Sequence, residues 1–303
     1  MENKRALVFG GNTGMDGTLL VDLLKSKNYD VHPIPGRSTK SEISNSIEYF
    51  HPHEVYNLAG YSNTFFPFDH IDEMIAANLT LPANILGTIL SVDKRIKFFN
   101  ASSCLIFGKD ASGLQNEETP INPSHPYGCI KAATQSLIKM YREEKGLFAC
   151  SGIYFPHESP RRKPDFFTKK VCMAVARIKL GSEEKIKISK HKPAQRDWSH
   201  SKDAVEAAWM MLQNKKPEDF VIGSGILHTT DDFILSALTH AGLKWKEHVE
   251  FSNDIERPND ILPLRADITK IQKTLGWHPK HSFSQIIEEM VDFEIEQLKN
   301  KNI

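Results

Sequence analysis

Two rhythms of apolar residues alternate along the chain. Residues 5–9, Arg-Ala-Leu-Val-Phe, form a short apolar run that stops at glycine, and Leu19, Leu20, Leu23 and Leu24 then fall at helical spacing within 18–27. The spacing predicts strand, turn, helix. The same alternation predicts strands at 30–34, 55–58, 96–100 and 148–155, and helices at 41–50, 71–92 and 126–144. Pro82 predicts a kink in the 71–92 helix, because proline has no amide to give to the helix ladder. Strands alternating with helices imply a doubly wound α/β fold, a mostly parallel sheet covered on both faces.

The pattern loosens after a Pro-, Arg- and Lys-rich loop at 156–164. Helices are predicted at 167–179, 201–213, 230–241, 267–275 and 282–298, with short strands at 185–189 and 220–223. Residues 1–160 are expected to form mainly the sheet domain. Residues 161–303 are expected to form mainly a smaller cap over the strand ends, interleaved with the sheet.

Composition excludes classes of function more than it names one. The 303 residues carry 38 basic and 38 acidic side chains, without the basic excess of a dedicated nucleic-acid or membrane-surface binder. No uninterrupted apolar run approaches the ~18 residues of a membrane span, so none is expected. The first five residues lead into a strand without an apolar segment or cleavage site, and a cytoplasmic location is expected. Cys104, Cys129, Cys150 and Cys172 contain no CxxC and read as reduced thiols. His51 and His53 flank Pro52 in a turn between helix and strand, and no metal site is expected.

Gly11, Gly14 and Gly17 form a GxxGxxG between the first strand and the first helix. Glycines there permit a tight turn and close approach of a pyrophosphate, whose charge then rests on the helix N-terminus. The alternative is a turn whose glycines serve packing alone. Met15 and Asp16 within the turn, with Leu58 and Ala59 after the strand 55–58, complete this candidate cofactor set. Cofactor choice is read just after the second strand, where an acid would bind a ribose 2′-hydroxyl and a base a 2′-phosphate. Pro35 stands where the acid would be and Arg37 and Ser38 follow, which favours NADP(H) over NAD(H). The alternative for Arg37 is a solvated loop charge. Gly223-Ser224-Gly225 does not open a helix after a strand and is set aside.

Tyr127 and Lys131 lie four apart at the start of a helix and share one face. An ammonium close to a phenol lowers its pKa and lets it pass protons near neutrality. Ser103 follows the strand 96–100, at the sheet end where doubly wound folds bind ligands. The alternative is a surface Tyr–Lys pair. Glycine turn, strand-end serine and YxxxK in this order resemble the extended short-chain dehydrogenase/reductases. The resemblance implies a Rossmann-type NAD(P)-binding sheet. It also implies that the serine orients a substrate hydroxyl, the tyrosine is the acid/base, and the lysine tunes it and holds the nicotinamide ribose.

A closer resemblance spans nearly the whole chain. Residues 155–162 (FPHESPRR), 176–181 (ARIKLG), 196–203 (RDWSHSKD), 209–213 (WMMLQ), 217–222 (PEDFVI) and 275–279 (LGWHP) are similar to segments of the GDP-mannose 4,6-dehydratases. The resemblance implies a GDP-linked sugar substrate, with Arg196 and Arg257 gripping its diphosphate as planar bidentate donors. Arg162 and Lys170 are weaker candidates, and Ser62, Ser103 and Glu158 complete the implied substrate set. For each arginine the alternative is a surface ion pair. The resemblance also implies that the long apolar-faced helices 71–92 and 126–144 pair across a two-fold as a four-helix core of a homodimer or higher homo-oligomer; the alternative is that they only cover their own sheet.

Three departures from that family stand out. Leu105 occupies the position of the dehydratase glutamate, and leucine has no proton to transfer. Cys104 sits one residue before it, and alternation along an extended segment would turn it away from that direction. Pro156 replaces an asparagine that contacts substrate. After Arg37 the chain passes almost directly into a helix, as if one edge β-α unit were deleted beside the adenine site.

The leading expectation is therefore an NAD(P)-dependent GDP-sugar oxidoreductase acting at carbon 4, most readily the reduction of a GDP-4-keto-6-deoxy sugar. Oxidation in reverse uses the same residues. A 4,6-dehydratase that recruits His125, His157 or Glu158 as acid/base is the alternative, and a non-catalytic nucleotide-sugar-binding homologue is the second.

Overall fold

The computed structural model describes residues 3–61, 68–108, 113–190, 193–252 and 263–301. The first half runs β1 (Arg5–Phe9), α1 (Met15–Ser26), β2 (Asp30–Ile34), α2 (Lys40–Phe50), β3 (Glu54–Asn57), α3 (Ile71–Ile75), α4 (Leu81–Val92), β4 (Lys97–Ser103), β5 (Leu114–Gln115), α5 (Pro126–Lys145), β6 (Ala149–Tyr154) and β7 (His157–Glu158). There follow α6 (Phe167–Lys179), β8 (Ile186–Ser189), β9 (Gln195–Arg196), β10 (Ser199–His200), α7 (Ser201–Gln213), β11 (Phe220–Ile222) and β12 (His228–Thr229). The chain closes with α8 (Thr230–His240), α9 (Trp245–His248), β13 (Val249–Ser252), β14 (Arg265–Ala266), α10 (Thr269–Leu275) and α11 (Phe283–Lys301).

The central sheet has six parallel strands in the order β11-β6-β4-β3-β1-β2. Pleating sends successive side chains to opposite faces, and both faces are covered. Leu7, Phe9, Val55 and Phe98 point to one side, where Ile43 and Ile47 of α2, Ile85 and Ile89 of α4 and Ile138 of α5 close over them. Ala6, Val8, Tyr56 and Phe99 point to the other, under Leu20 and Leu24 of α1, Ala204, Ala208 and Met211 of α7, and Trp277. A third core joins Val171 and Val175 of α6, Trp198, Phe233 and Leu238 of α8, and Ile287, Met290 and Val291 of α11.

The connection after β2 is short. Only α2 and two short loops separate β2 from β3, so β2 forms the sheet edge beside β1. Pro33 lies within β2, opposite Val8. An edge strand tolerates a residue without an amide because one of its sides carries no ladder.

The 71–92 stretch differs from the single kinked helix expected. A π-helical turn, Ala76–Thr80, separates α3 from α4, and Pro82 sits in the first turn of α4, just after that irregular turn. By length and composition Ile71–Val92 is apolar enough to cross a membrane, unlike the sequence expectation. In the fold Leu81, Pro82, Ile85, Leu86 and Ile89 are buried, as in the core helix of a globular domain.

Candidate active site at the strand ends

The turn before α1 is packed too tightly for any residue but glycine. A Cβ on Gly17 would lie 2.1 Å from the carbonyl oxygen of Gly10, and one on Gly14 2.8 Å from the same atom. Gly11 is hemmed by Pro33 and the Val8 carbonyl, both at 2.9 Å. Gly10 has φ +83 and backs onto Ala59, so it is a fourth required glycine, which the GxxGxxG pattern omits. Gly14 caps α1 without a side chain. The first-turn amides are therefore left to an external acceptor, the arrangement that suits a pyrophosphate. Ala59 is wedged between Gly10 and Gly36, and Leu58 packs beside it at the end of β3. Arg37 is exposed, and Ser38 Oγ donates to the Pro35 carbonyl at 2.9 Å.

Ser103 ends β4, and its Oγ accepts from the Leu105 amide at 3.3 Å. Tyr127 stands in the first turn of α5, whose N-cap is His125: Nδ1 of that imidazole accepts from the Tyr127 amide at 3.1 Å. Gly128 lets the two elements meet, since a Cβ there would lie 2.4 Å from the Leu105 carbonyl oxygen. The Ser103 side chain lies near the Tyr127 hydroxyl and works against the rise in its pKa. Lys131 is buried, donates from Nζ to the Ala101 carbonyl at 2.7 Å, and lies 5.6 Å from the Tyr127 ring centroid. Ser103, Tyr127 and Lys131 thus converge as the sequence order implied.

The electrostatics correct one expectation. Burial pushes the Tyr127 phenol up, and the nearby Cys104 and Asp16 add to the rise. Burial also brings Lys131 down to about 8. The ammonium points at the Ala101 carbonyl and not at the phenol oxygen, so desolvation wins over attraction.

Residues 104–106 form a 3-10 turn, not the extended segment assumed from sequence. Cys104 is buried because the turn rotates about a third of a revolution per residue, and its thiol is pushed up to about 12. Leu105 remains partly exposed.

The basic residues after β7 are largely spoken for. Arg161 pairs with Asp22 at 2.8 Å, and Arg162 Nε with Glu158 at 2.6 Å. Lys170 is exposed on the first turn of α6, whereas its neighbour Lys169 is buried, donates to the Pro160 carbonyl at 2.7 Å and pairs with Glu294. Arg196 is half-buried on β9, donates to its neighbour's carbonyl at Gln195 at 2.7 Å, and its charge reaches Cys104. Asp197 beside it is buried and accepts from the amides of Ser224, Gly225 and Ala266 and from the Ser224 hydroxyl. That is the structural use of the glycine pair at 223–225. Ser62 and Arg257 lie outside the described residues.

The sequence offers His157 only as a spare acid/base and Asp16 as a member of the cofactor set, with nothing to link the two. They are joined, His157 Nε2 to Asp16 Oδ2, at 2.9 Å. Lys169 was missed altogether. Its signal was weak, one lysine next to another at a helix start.

Known proteins resemble this chain in sequence and fold. The family described as GDP-mannose 4,6 dehydratase matches residues 38–290. GDP-mannose 4,6 dehydratase 1 of Arabidopsis thaliana is 34% identical over 335 residues, covering 99% of this chain and 92% of that protein. GDP-mannose 4,6 dehydratase of Homo sapiens is 32% identical over 345 residues, covering 95% and 91%. Among solved structures, UDP-glucose 4-epimerase of Thermus thermophilus in complex with NAD superposes with a TM-score of 0.83 at 20% identity, over 96% of this chain and 98% of that one. RMD of Pseudomonas aeruginosa complexed with NADPH gives 0.85 at 19% identity, over 97% and 98%. At such identities these two likenesses bear on the fold alone.

Proposed function

The chain belongs to the GDP-mannose 4,6-dehydratase family, enzymes of the epimerase/dehydratase fold, and from that premise we propose that it is a GDP-sugar oxidoreductase that reduces a 4-keto-6-deoxy sugar with NADPH. The observation that carries the reading is the convergence of Ser103, Tyr127 and Lys131 beside Leu105, with the three candidate substitutes for a glutamate, His125, His157 and Glu158, each held by another group. His157 is held between Asp16 and the Phe155 carbonyl. Glu158 is ion-paired to Arg162. His125 spends Nδ1 on the Tyr127 amide. Elimination of water needs a second acid/base, and reduction does not.

A nicotinamide dinucleotide seated on the α1 turn would supply hydride to carbon 4. Gly10, Gly11, Gly14 and Gly17 would admit its pyrophosphate, and Lys131 would reach its ribose. Ser103 then orients the carbon-4 oxygen. Tyr127, kept neutral by burial, gives its proton to that oxygen as negative charge develops there. A phenol pushed up keeps its proton at neutral pH, the protonation state from which reduction starts. Arg196, near the Ser103–Leu105 turn, would take the sugar diphosphate. The exposed Arg37 with Ser38, and the lack of an acid after β2, support NADPH over NADH.

The family name favours a second reading, a dehydratase. Incubation with GDP-mannose, and separately with GDP-4-keto-6-deoxymannose plus NADPH, followed by mass analysis of the nucleotide sugars, separates the two. The keto sugar is expected to gain two hydrogens. Loss of water from GDP-mannose would overturn the proposal, and neither turnover nor NADPH binding would leave a non-catalytic homologue. Tyr127→Phe is expected to lose about 100-fold or more in reduction. We also propose a homodimer through α3, α4 and α5, where Ile75 and Met140 are exposed apolar residues. Light scattering at the mass of one chain would reject it.

A further inference from the structure

His157 has two ring nitrogens, and each faces an oxygen that only accepts. Nδ1 lies 2.8 Å from the Phe155 carbonyl oxygen, and Nε2 2.9 Å from Asp16 Oδ2. A carbonyl has no proton to give, and an ionised carboxylate has none either. Both contacts are hydrogen bonds only when both nitrogens carry protons, so the ring is an imidazolium. Its edge packs against the Tyr154 ring, centroids 4.9 Å apart. The charged and titratable groups around it are few. Asp16 comes from α1, Arg162 from the turn after β7, and the Tyr154 phenol from β6. The Glu158 carboxylate next to it in sequence turns to Arg162 instead. Asp16 Oδ1 is buried and has no hydrogen-bond partner among the described residues, and the charge of Asp16 leans chiefly on His157, then on Arg162 at longer range and on the nearby Ser201 side chain.

The placement gives the pair a task. Asp16 belongs to the first turn of α1, the end of the helix that would receive the pyrophosphate. A carboxylate there suits the helix dipole but competes with an incoming anion. The imidazolium cancels it and leaves the partial positive charge of the helix end for the nucleotide. The same ring belongs to β7, in the segment that carries Glu158 and Arg162, and Arg162 donates to the His157 carbonyl. One ion pair therefore ties the cofactor turn to the substrate segment across 141 positions of sequence.

We infer that His157 is a positioning residue, a fixed cation that neutralises Asp16 and locks the α1 turn to the 157–162 segment. The inference rests on the dinucleotide reading of that turn, though not on which sugar is reduced.

Nitrogen-15 chemical shifts of the histidine rings report protonation without any turnover. In the intact protein His157 is expected to be doubly protonated at pH 7.5, and in Asp16→Asn it is expected to lose a proton in the neutral range. A singly protonated His157 ring at pH 7.5 in the unaltered protein would overturn the inference, even if the variants fail to fold. NADPH binding supplies the second readout. His157→Gln leaves Asp16 uncompensated and is expected to weaken binding about tenfold. The double variant Asp16→Asn with His157→Gln places two neutral amides in the same space and is expected to recover affinity to within about threefold. A double variant as weak as the single one would show a role in shape alone and refute the charge argument. Failure to reduce any keto sugar would remove the proposed reaction and leave both readouts standing.

Discussion

The Thr134 hydroxyl of α5 donates to the backbone carbonyl of Asn78, in the π-helical turn before α4, at 2.6 Å. Four residues after Asn78 stands Pro82, which has no amide to offer that carbonyl. A side chain from one helix thus serves backbone left short by proline in another, and the contact binds α5, which carries Tyr127 and Lys131, to the helix before β4.

Thr134→Val removes that donor while keeping the shape. The carbonyl is buried, so the loss is expected to cost about 1–3 kcal/mol. Urea unfolding of Thr134→Val and Thr134→Ser checks it, with the serine variant close to the parent.

The glycine turn yields a sharper expectation. In Gly17→Ala the new methyl would lie 2.1 Å from the Gly10 carbonyl oxygen, a backbone atom that cannot step aside alone. The turn must open, and NADPH binding is expected to fall below detection while the far-ultraviolet circular dichroism keeps its α/β form. Gly146→Ala serves as a contrast, because nothing lies within 4 Å of that Cβ and only its φ of +70 opposes the change.

Lys131 links site and stability through pH. Burial lowers its ammonium from 10.5 to about 8, so between those values the unfolded chain holds a proton that the folded chain does not. Unfolding takes up a proton in that window, and stability rises with pH there. The cost of the buried charge is full below about pH 8 and gone above about 10.5. Relative to Lys131→Met, the parent is expected to gain on the order of 3 kcal/mol across the window. Parallel denaturant titrations of the two proteins at pH 7.5, 9 and 10.5 measure it, and parallel curves would contradict it.

Leu105→Glu tests the chemistry from the other side. The position is partly exposed beside Ser103 and Tyr127, so a carboxylate there can reach a bound sugar. The variant is expected to release water from GDP-mannose at a rate measurable by mass analysis, where the parent shows none.

Much of the site could be read along the chain. The glycine turn was legible because a clash with a neighbouring carbonyl is a local property of a few residues. Tyr127 and Lys131 were legible because four residues make about one helical turn. The short connection after β2 was legible as a length, the few residues between Arg37 and α2. Ser103 was placed rightly, but the 3-10 turn after it was not, since its geometry follows from Gly128 pressing α5 against the Leu105 carbonyl.

The sequence by itself determined the parallel sheet, its two covered faces, the turn before α1 and the pairing of tyrosine with lysine. These follow from periodicity and backbone sterics, which act between near neighbours. Only the tertiary structure decided which charges are spent. Arg161 and Arg162 stood in a basic loop, yet they meet Asp22 and Glu158. Asp16 read as a member of the cofactor set, yet its carboxylate is paired with His157. The Lys131 ammonium looked set to acidify the Tyr127 phenol, yet burial moved each group the other way. Charge pairing and desolvation depend on distance and exposure in three dimensions, and local spacing carries no record of either.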